Sequence, residues 1–164
     1  LEFMIRLRPA TVDEAGLLSS LALRSKAYWG YSTTFVEACA TELQVDRHHL
    51  TGSLFRCTVA ELEQEIAGYY VLEKCSLSEW ELDAFFIDPP HIAQGIGCQL
   101  IEHAKSTAAS LGGSRILIQS DPNAAGFYRK AGGRLLDTRE SDSIPGRYLP
   151  VFSIDVSEYR RCDL

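Results

Sequence analysis

Two glycines at the start of a helix-like stretch give this sequence its clearest chemical signal. The run Gln94-Gly95-Ile96-Gly97 follows a β-type stretch, and apolar residues then recur at near-helical spacing. Because glycine has no Cβ, a ligand can approach the main chain closely. The first amides of a helix have no intrahelical partner and lie at its positive end. The sequence therefore predicts an anion site, for which a diphosphate is the natural occupant.

The spacing of this turn excludes two common phosphate sites. A Rossmann nucleotide site needs a third glycine where this chain has Leu100. A phosphate loop with Gly-Lys-Ser or Gly-Lys-Thr is also missing from the sequence. A tight strand-to-helix connection without a ligand stays open. Cys98, beside the turn, has no evident histidine partner, so we do not predict a nucleophilic cysteine.

A second segment places aromatic side chains on a short helix, one strand later. Asp121-Pro122 is typical of an N-cap followed by proline at the first helical position. Asn123 and the pair Phe127-Tyr128 follow, and Gly132 ends the helix. By itself, a tyrosine on a short helix is an amphipathic packing residue.

In their order along the chain, these segments resemble the GNAT N-acetyltransferase superfamily. The resemblance spans Ile5 to Val156 and implies acetyl-coenzyme A as the acetyl donor. One departure is Ile92, where the family usually has Gln or Arg, so the predicted diphosphate contacts come from main-chain amides. The matching features are the opening Ile5–Ala10, the strand into Gln94–Gly97, the strand Arg115–Ser120, and Asn123, Phe127-Tyr128 and Gly132.

The resemblance implies that the coenzyme lies along a splayed strand. The main chain of Phe86 and Ile87 would contact the acetyl carbonyl and the pantetheine arm. An amide there would stabilise the oxyanion of a tetrahedral intermediate. The gap from Asn123 to Phe127 is shorter than is common in the family. The implied coenzyme-binding residues are Phe86, Ile87, Gln94, Gly95, Ile96, Gly97, Cys98, Asn123 and Phe127.

An amine acceptor also requires proton transfers. A lysine-like amine has a pKa of about 10.4, so a base or a lowered amine pKa is needed at neutral pH. The resemblance implies Glu81 as the base, with Asp83 on the same strand face; solvated carboxylates or a water chain are the alternatives. For the leaving thiolate, the resemblance implies Tyr128 as the proton donor.

The sequence signals for the site of the acceptor amine are less specific than those for the coenzyme. The family admits its substrates between the first two helices and the last two strands, where Trp29 and Tyr31 could hold an amine by cation–π contact. Arg147, in a turn that could close over the acceptor, would grip a substrate carboxylate. The alternatives are an aromatic core cluster and a structural ion pair.

Periodicity predicts one mixed α/β domain over residues 4–160, in the order β-α-α-β-β-β-α-β-α-β-β. A capping box at Thr11–Glu14 opens the first helix, and the second lies near Val36–Val45. The resemblance implies a mixed, mostly antiparallel sheet of six to seven strands flanked by about four helices. The exposed final strand is expected to allow a homodimer. Residues 1–3 are expected to be a cloning remnant ahead of Met4.

Composition limits the partners that this protein can bind and the cellular compartment that suits it. The net charge of −6 and the pI near 5.2 argue against a nucleic-acid footprint. No apolar run reaches the ~20 residues of a membrane span. Five scattered cysteines favour reduced thiols in a cytoplasm. The four histidines have no ligand spacing with acidic residues, so no metal is expected.

The sequence thus favours an N-acetyltransferase that transfers the acetyl group directly to a primary amine, on a small molecule in preference to a protein. A non-catalytic acyl-coenzyme A sensor is the alternative, favoured by Ile92 and disfavoured by Glu81 and Tyr128. A nucleotide-binding regulatory domain is a third possibility.

Overall fold

The computed structural model describes the backbone of residues 4–161 and the side chains of residues 4–159. Residues 1–3 and Cys162 lie outside the described residues. The described strands are β1 (Ile5–Pro9), β2 (Phe55–Leu62), β3 (Glu65–Lys74), β4 (Glu79–Ile87), β5 (Arg115–Gln119), β6 (Arg134–Glu140) and β7 (Tyr148–Asp155). The described α-helices are α1 (Ala15–Tyr28), α2 (Thr33–Leu43), α3 (Arg47–Thr51), α4 (Ile96–Ser110) and α5 (Ala125–Lys130).

The strands form one mixed sheet in the order β1-β2-β3-β4-β5-β7-β6. β4 and β5 run parallel, whereas β1–β2, β5–β7 and β6–β7 are antiparallel. The predicted α/β class and mostly antiparallel sheet are therefore confirmed. The expected edge was wrong, because β7 pairs with both β5 and β6. The edge strand at this end of the sheet is β6, and all of its residues are exposed.

The chain divides into two compact units. Unit 1 contains the residues up to Val71 together with Ala84–Leu100, and unit 2 contains Leu72–Asp83 and the residues from Ile101 onward. Each unit holds part of β3 and part of β4, since the division falls within both strands.

The core of unit 1 lies between α1 and the β2–β3 hairpin. Leu18 and Leu21 of α1 pack in one buried cluster with Val59, Tyr69 and Val71 of the two strands. The hairpin turns at Glu63 and Gln64, with φ of 51° and 68°, which is the type I′ geometry that matches the twist of the strands.

At the start of α1, Glu14 completes the predicted capping box with Thr11 and accepts from Arg8 Nη2 at 2.8 Å. This ion pair and cap fix the start of the helix that covers the hairpin. The second predicted helix begins earlier than expected, at Thr33, since Ser32 caps it by accepting from Phe35 N. The five-residue α3 was not predicted; it is too short for helical periodicity to be visible.

Unit 2 buries the apolar face of its strands. Ile116 and Ile118 of β5 and Phe152 and Ile154 of β7 are almost fully buried. Trp80 on β4 is 1% exposed, and a Cβ at Gly113 would lie 2.6 Å from its Cδ1 atom. Glycine is therefore required where the chain leaves α4 for β5.

Candidate active site

The glycine turn at the start of α4 lies largely at the surface. Gly95 has φ of +81°, a conformation that L side chains adopt only with strain. Gln94, Gly95 and Cys98 are exposed, whereas Ile96 is 1% exposed and anchors the helix. The Gln94 side chain donates to Pro90 O at 3.5 Å, so it folds back on its own loop. The first amides of a 15-residue helix can bind an anion.

The strand that leads into this turn is held at its end. Asp88 N donates to Ala67 O at 2.8 Å, and Arg24 of α1 donates to both Asp88 carboxylate oxygens, at 3.1 and 2.9 Å. Gly68 allows the close approach of Phe86 and Ile87, since a Cβ there would lie 2.8 Å from Phe86 O and from Ile87 Cδ1. The main chain of the two predicted coenzyme residues is thus fixed within unit 1.

The parallel pairing of β4 with β5 is short. The register runs from Glu79–Arg115 to Glu81–Leu117, while β4 continues to Ile87. Glu79 and Arg115 also form an ion pair at the start of this register. The later part of β4 therefore extends past its register with β5, which is the feature that a peptide-like arm needs for pairing with a strand.

Four carboxylates of unit 2 lie on β3 and β4: Glu73, Glu79, Glu81 and Asp83. Glu81 Oε1 accepts from Arg139 Nη1 of β6 at 2.7 Å, so its charge already has a partner. Asp83 interacts with Glu73 instead. Reduced hydration, the hydrogen bond that protonated Asp83 donates to Glu73, and the charges of Glu73 and Glu81 raise the pKa of Asp83 to about 8. The residue is nevertheless exposed to solvent.

Neither Glu73 nor Arg139 was singled out in the sequence. Glu73 could have been found from the β3–β4 hairpin, since its short connection brings the alternating residues of the two strands onto one face. Arg139 gave no such signal, because it lies 58 residues from Glu81 in the chain.

Tyr128 is buried on α5. It is 5% exposed, and its ring lies against Phe127 and Phe152, with centroids 5.3 and 6.5 Å away. Burial, followed by the negative charge of Asp121, raises the pKa of Tyr128 above its usual range. At neutral pH the phenol therefore keeps its proton. The helix ends two residues later, at Lys130, and Gly133 N donates to Tyr128 O at 2.8 Å.

The other predicted residues of this segment lie on the same short helical stretch. Asp121 Oδ1 accepts from Asn123 N at 2.9 Å and from Asn123 Nδ2 at 3.0 Å. Arg147 Nη2 lies 3.8 Å from Asp121 Oδ2, and both side chains are largely buried. The ion pair that the sequence left open as an alternative for Arg147 is therefore present.

The two predicted acceptor aromatics, Trp29 and Tyr31, each pair with another aromatic residue of unit 1. Trp29 is 47% exposed and meets Tyr28 edge to face, with centroids 5.3 Å apart. Tyr31 stacks on Phe35 at 4.3 Å, and Lys26 Nζ lies 5.2 Å from the Tyr31 centroid. The second pair already has a cation beside it, so an incoming amine has better access to Trp29.

One histidine group does lie near an acidic residue, contrary to expectation. Within the described residues, Asp46, His48 and His49 have potential ligand atoms within 4.8 Å of one another. However, His49 Nδ1 accepts from Asp46 N at 2.9 Å and so serves to cap α3. That bond puts the proton of a neutral His49 ring on Nε2, which leaves neither nitrogen ready for a metal.

The predicted coenzyme and acceptor residues are thus distributed between the two units. Unit 1 contains the acceptor aromatics, Phe86, Ile87 and the glycine turn from Gln94 to Cys98. Unit 2 contains Glu81, Asn123, Phe127, Tyr128 and Arg147. None of the helices in the described part of the chain combines the length and hydropathy of a membrane span.

The acetyltransferase (GNAT) domain family matches this chain over residues 15–142. The chain therefore belongs to the GNAT acetyltransferase family. Among curated proteins, peptidyl-lysine N-acetyltransferase YjaB of Salmonella typhimurium is 36% identical over 73 residues. That segment covers 44% of this chain and 48% of the relative, so the match spans about half the length of that protein.

Solved structures show the same fold at low sequence identity. The PaiA N-acetyltransferase of Thermoplasma acidophilum, in complex with coenzyme A, has a TM-score of 0.75 at 15% identity over 93% of this chain and 99% of that chain. A GCN5-related N-acetyltransferase from Rhodopseudomonas palustris has a TM-score of 0.76 at 20% identity over 92% of this chain and 94% of that chain.

Proposed function

We propose that this protein is an N-acetyltransferase that transfers the acetyl group of acetyl-coenzyme A directly to a primary amine. The observation that carries the proposal is the exposed glycine turn at the start of α4, in a chain that belongs to the GNAT family. The coenzyme supplies an activated thioester, and the chain binds it, positions it and manages the protons.

Unit 1 is proposed to hold the coenzyme. The amides around Gly95 and Gly97 donate to the diphosphate, and no side chain from Ile92 is needed. The pantetheine arm pairs with the main chain of β4 at Phe86 and Ile87, an interpretation supported by the short β4–β5 register. Asn123 and Phe127, which belong to unit 2, stay predicted coenzyme contacts.

Unit 2 is proposed to move the protons. Glu81 was the predicted base, but its ion pair with Arg139 commits that carboxylate to a partner. Asp83 fits the task better, because its pKa of about 8 lies near neutral pH. Asp83 accepts one proton from the acceptor ammonium, the amine nitrogen bonds to the acetyl carbon, and the carbon–sulfur bond breaks. Tyr128 donates its hydroxyl proton toward the departing sulfur. The acylated nitrogen releases its second proton to solvent, and Tyr128 recovers its hydroxyl proton from solvent, so one proton is released for each acetyl group transferred.

The proposed acceptor is a small-molecule amine that enters beside Trp29. The carboxylates at Glu73 and Asp83 suit a cationic group, which agrees with the acidic net charge. A second candidate is a lysine side chain of a protein, favoured by the name of the YjaB relative, which is described as acting on peptidyl-lysine.

Three measurements test the function. A thermal-shift series with acetyl-coenzyme A, coenzyme A, NAD and ATP should show stabilisation by the first two only. Thiol release with a panel of amines, beside mass spectrometry of an incubated lysine-bearing peptide mixture, then separates the acceptor classes. Stabilisation without thiol release from any acceptor would favour the acyl-coenzyme A sensor instead.

Four broader properties belong to the same proposal. The chain acts as a single acetyltransferase domain over residues 4–160 and needs no metal. It is located in the cytoplasm, where the four described free thiols would stay reduced. A homodimer would form through the exposed edge strand β6, and sedimentation equilibrium tests it directly.

A further inference from the structure

We infer that Arg147 is a positioning residue for Tyr128 and acts through the carboxylate of Asp121. The inference rests on the proposed function, in which Tyr128 donates a proton to the departing sulfur. It gives Arg147 a different task from the substrate contact that the sequence suggested.

Asp121 uses its two oxygens for two different purposes. Oδ1 accepts from Asn123 N and Nδ2, and so caps the helical turn that leads into α5. Oδ2 faces Arg147 Nη2 at 3.8 Å. The orientation of this carboxylate therefore depends on the cap at one oxygen and the guanidinium at the other. Tyr128 lies on α5, the helix that follows this capped turn.

Arg147 comes from a loop that its own hydrogen bonds hold in place. Ser141 N donates to Arg147 O at 2.7 Å, and Arg147 N donates to Ile144 O at 3.2 Å. Inside the loop, Ser141 Oγ accepts from the amides of Ser143 and Ile144, each at 3.2 Å. Glu140 Oε1 accepts from Gly146 N at 3.0 Å. A loop bonded in this way is a fixed support for the guanidinium and not a lid.

The charge of Asp121 acts on Tyr128. A carboxylate near a phenol disfavours the phenolate, and Asp121 contributes in this direction to the raised pKa of Tyr128. Arg147 places a positive charge against that carboxylate and offsets its field. Without Arg147, the uncompensated carboxylate would make the phenol a weaker proton donor, while the coenzyme turn in unit 1 keeps its own contacts.

The test is a double-mutant cycle in the whole protein. Asp121→Asn keeps an N-capping side chain but removes the charge, since Asn caps as well as Asp. We expect Arg147→Gln to lower kcat about tenfold, equal to about 1.4 kcal/mol, with the KM for acetyl-coenzyme A and the Tm almost unchanged. Arg147→Lys should restore most of kcat. In the Asp121→Asn background, Arg147→Gln should have no further effect.

A second readout does not depend on catalysis. The ¹³C NMR resonance of the Tyr128 ζ-carbon, assigned by its loss in Tyr128→Phe, should move in Arg147→Gln and stay in place when the same change is made in Asp121→Asn. Arg134→Gln, which removes an exposed arginine of β6 in the same unit, is the matched control and should move nothing.

The possible failures are distinct. An equal loss of kcat from Arg147→Gln in both backgrounds would overturn the inference and indicate a direct substrate contact. A fall in Tm that accounts for the loss would reduce Arg147 to a structural role. Absence of acetyl transfer in the wild-type protein would refute the proposed function, whereas the NMR cycle would still decide whether Arg147 acts on Tyr128 through Asp121.

Discussion

At the scale of single residues, Glu81 and Asp83 of unit 2 are both carboxylates, but they have different partners. Glu81 and Asp83 lie two residues apart on β4, yet one carboxylate pairs with Arg139 and the other shares a hydrogen bond with Glu73. A second carboxylate nearby favours the protonated form of Asp83. Asp83 is therefore the proposed base, because its pKa of about 8 lies near neutral pH.

We expect Asp83→Asn to lower kcat/KM by about 10²- to 10³-fold at pH 8, within the usual range for loss of a general base. In the wild-type protein kcat/KM should rise with pH up to about 8, because Asp83 must be unprotonated to accept a proton and its pKa is about 8. The variant should lose this limb of the pH profile. A limb of the same shape in Asp83→Asn would transfer the role to another group.

The raised pKa of Asp83 also predicts how the stability of the protein depends on pH. The pKa of Asp83 is higher in the folded protein than its usual value of 3.8, so the folded state binds the proton more tightly. The free energy of unfolding should therefore fall as the pH rises through this interval, and the cost is complete above about pH 8. Asp83→Asn should have a higher Tm than wild type at pH 8, and the two should converge near pH 4, measured by calorimetry.

Tyr128→Phe should lower kcat by roughly 10- to 100-fold and leave the affinity for acetyl-coenzyme A within about twofold. The phenol is buried and protonated at neutral pH, so it can donate to a departing thiolate, but it makes no proposed contact with the diphosphate. Steady-state kinetics and calorimetric binding separate the two effects. An unchanged kcat would remove Tyr128 from the mechanism and leave it as a packing residue against Phe152.

At the scale of elements, the turn before α4 depends on the absence of a side chain. Gly95 has φ of +81°, and a Cβ at this position would contact no atom of the described chain within 4 Å. The open space beside the helix amides is therefore available to a ligand. The positive φ, and not close packing, is what calls for glycine at position 95.

Gly95→Ala should weaken acetyl-coenzyme A binding by about tenfold or more, because the new methyl group would occupy the approach to the amides. Gly30→Ala is the matched control: Gly30 has φ of +84°, and a Cβ there would also meet no atom of the described chain within 4 Å, so the backbone strain is alike. Calorimetric titration with acetyl-coenzyme A alone compares them. Equal losses in both variants would attribute the effect to strain and not to the diphosphate site.

At the scale of the whole molecule, stability in acid depends on the start of α1. Arg8 donates to both oxygens of Glu14, at 2.9 and 2.8 Å, and Thr11 N donates to Glu14 Oε1 at 2.8 Å. The Arg8 hydrogen bond is the main cause that lowers the pKa of Glu14 to about 2, against the opposing effect of burial. Glu14 therefore ties β1 to the helix that covers the β2–β3 hairpin.

Glu14→Gln should lower the free energy of unfolding at pH 7 by about 1–3 kcal/mol, since it removes charged hydrogen bonds from a nearly buried position. The folded-state pKa is depressed, so this contribution is present above the ordinary pKa of 4.5 and is lost as the pH falls toward about 2. Urea unfolding at pH 7 and at pH 2 measures it. A difference of the same size at both pH values would contradict the ion-pair explanation.

The sequence by itself determined the features that depend on neighbours along the chain. The capping box at Thr11–Glu14, the glycine turn before α4 and the Asp121 cap all rest on residues within a few positions of one another. Local hydrogen bonds and backbone sterics decide such features, so their residue types predict them. The resemblance of the ordered segments to the GNAT family followed from the same local signals.

Only the tertiary structure decided which side chains meet and what charge they carry. Arg139 reaches Glu81 across 58 positions, and Arg147 reaches Asp121 from the following hairpin. The sheet order likewise places β7 between β5 and β6, which transfers the exposed edge to β6. Strand pairing joins residues that are distant in sequence, and the pKa of a carboxylate depends on those neighbours and on its hydration, neither of which is written in the local pattern.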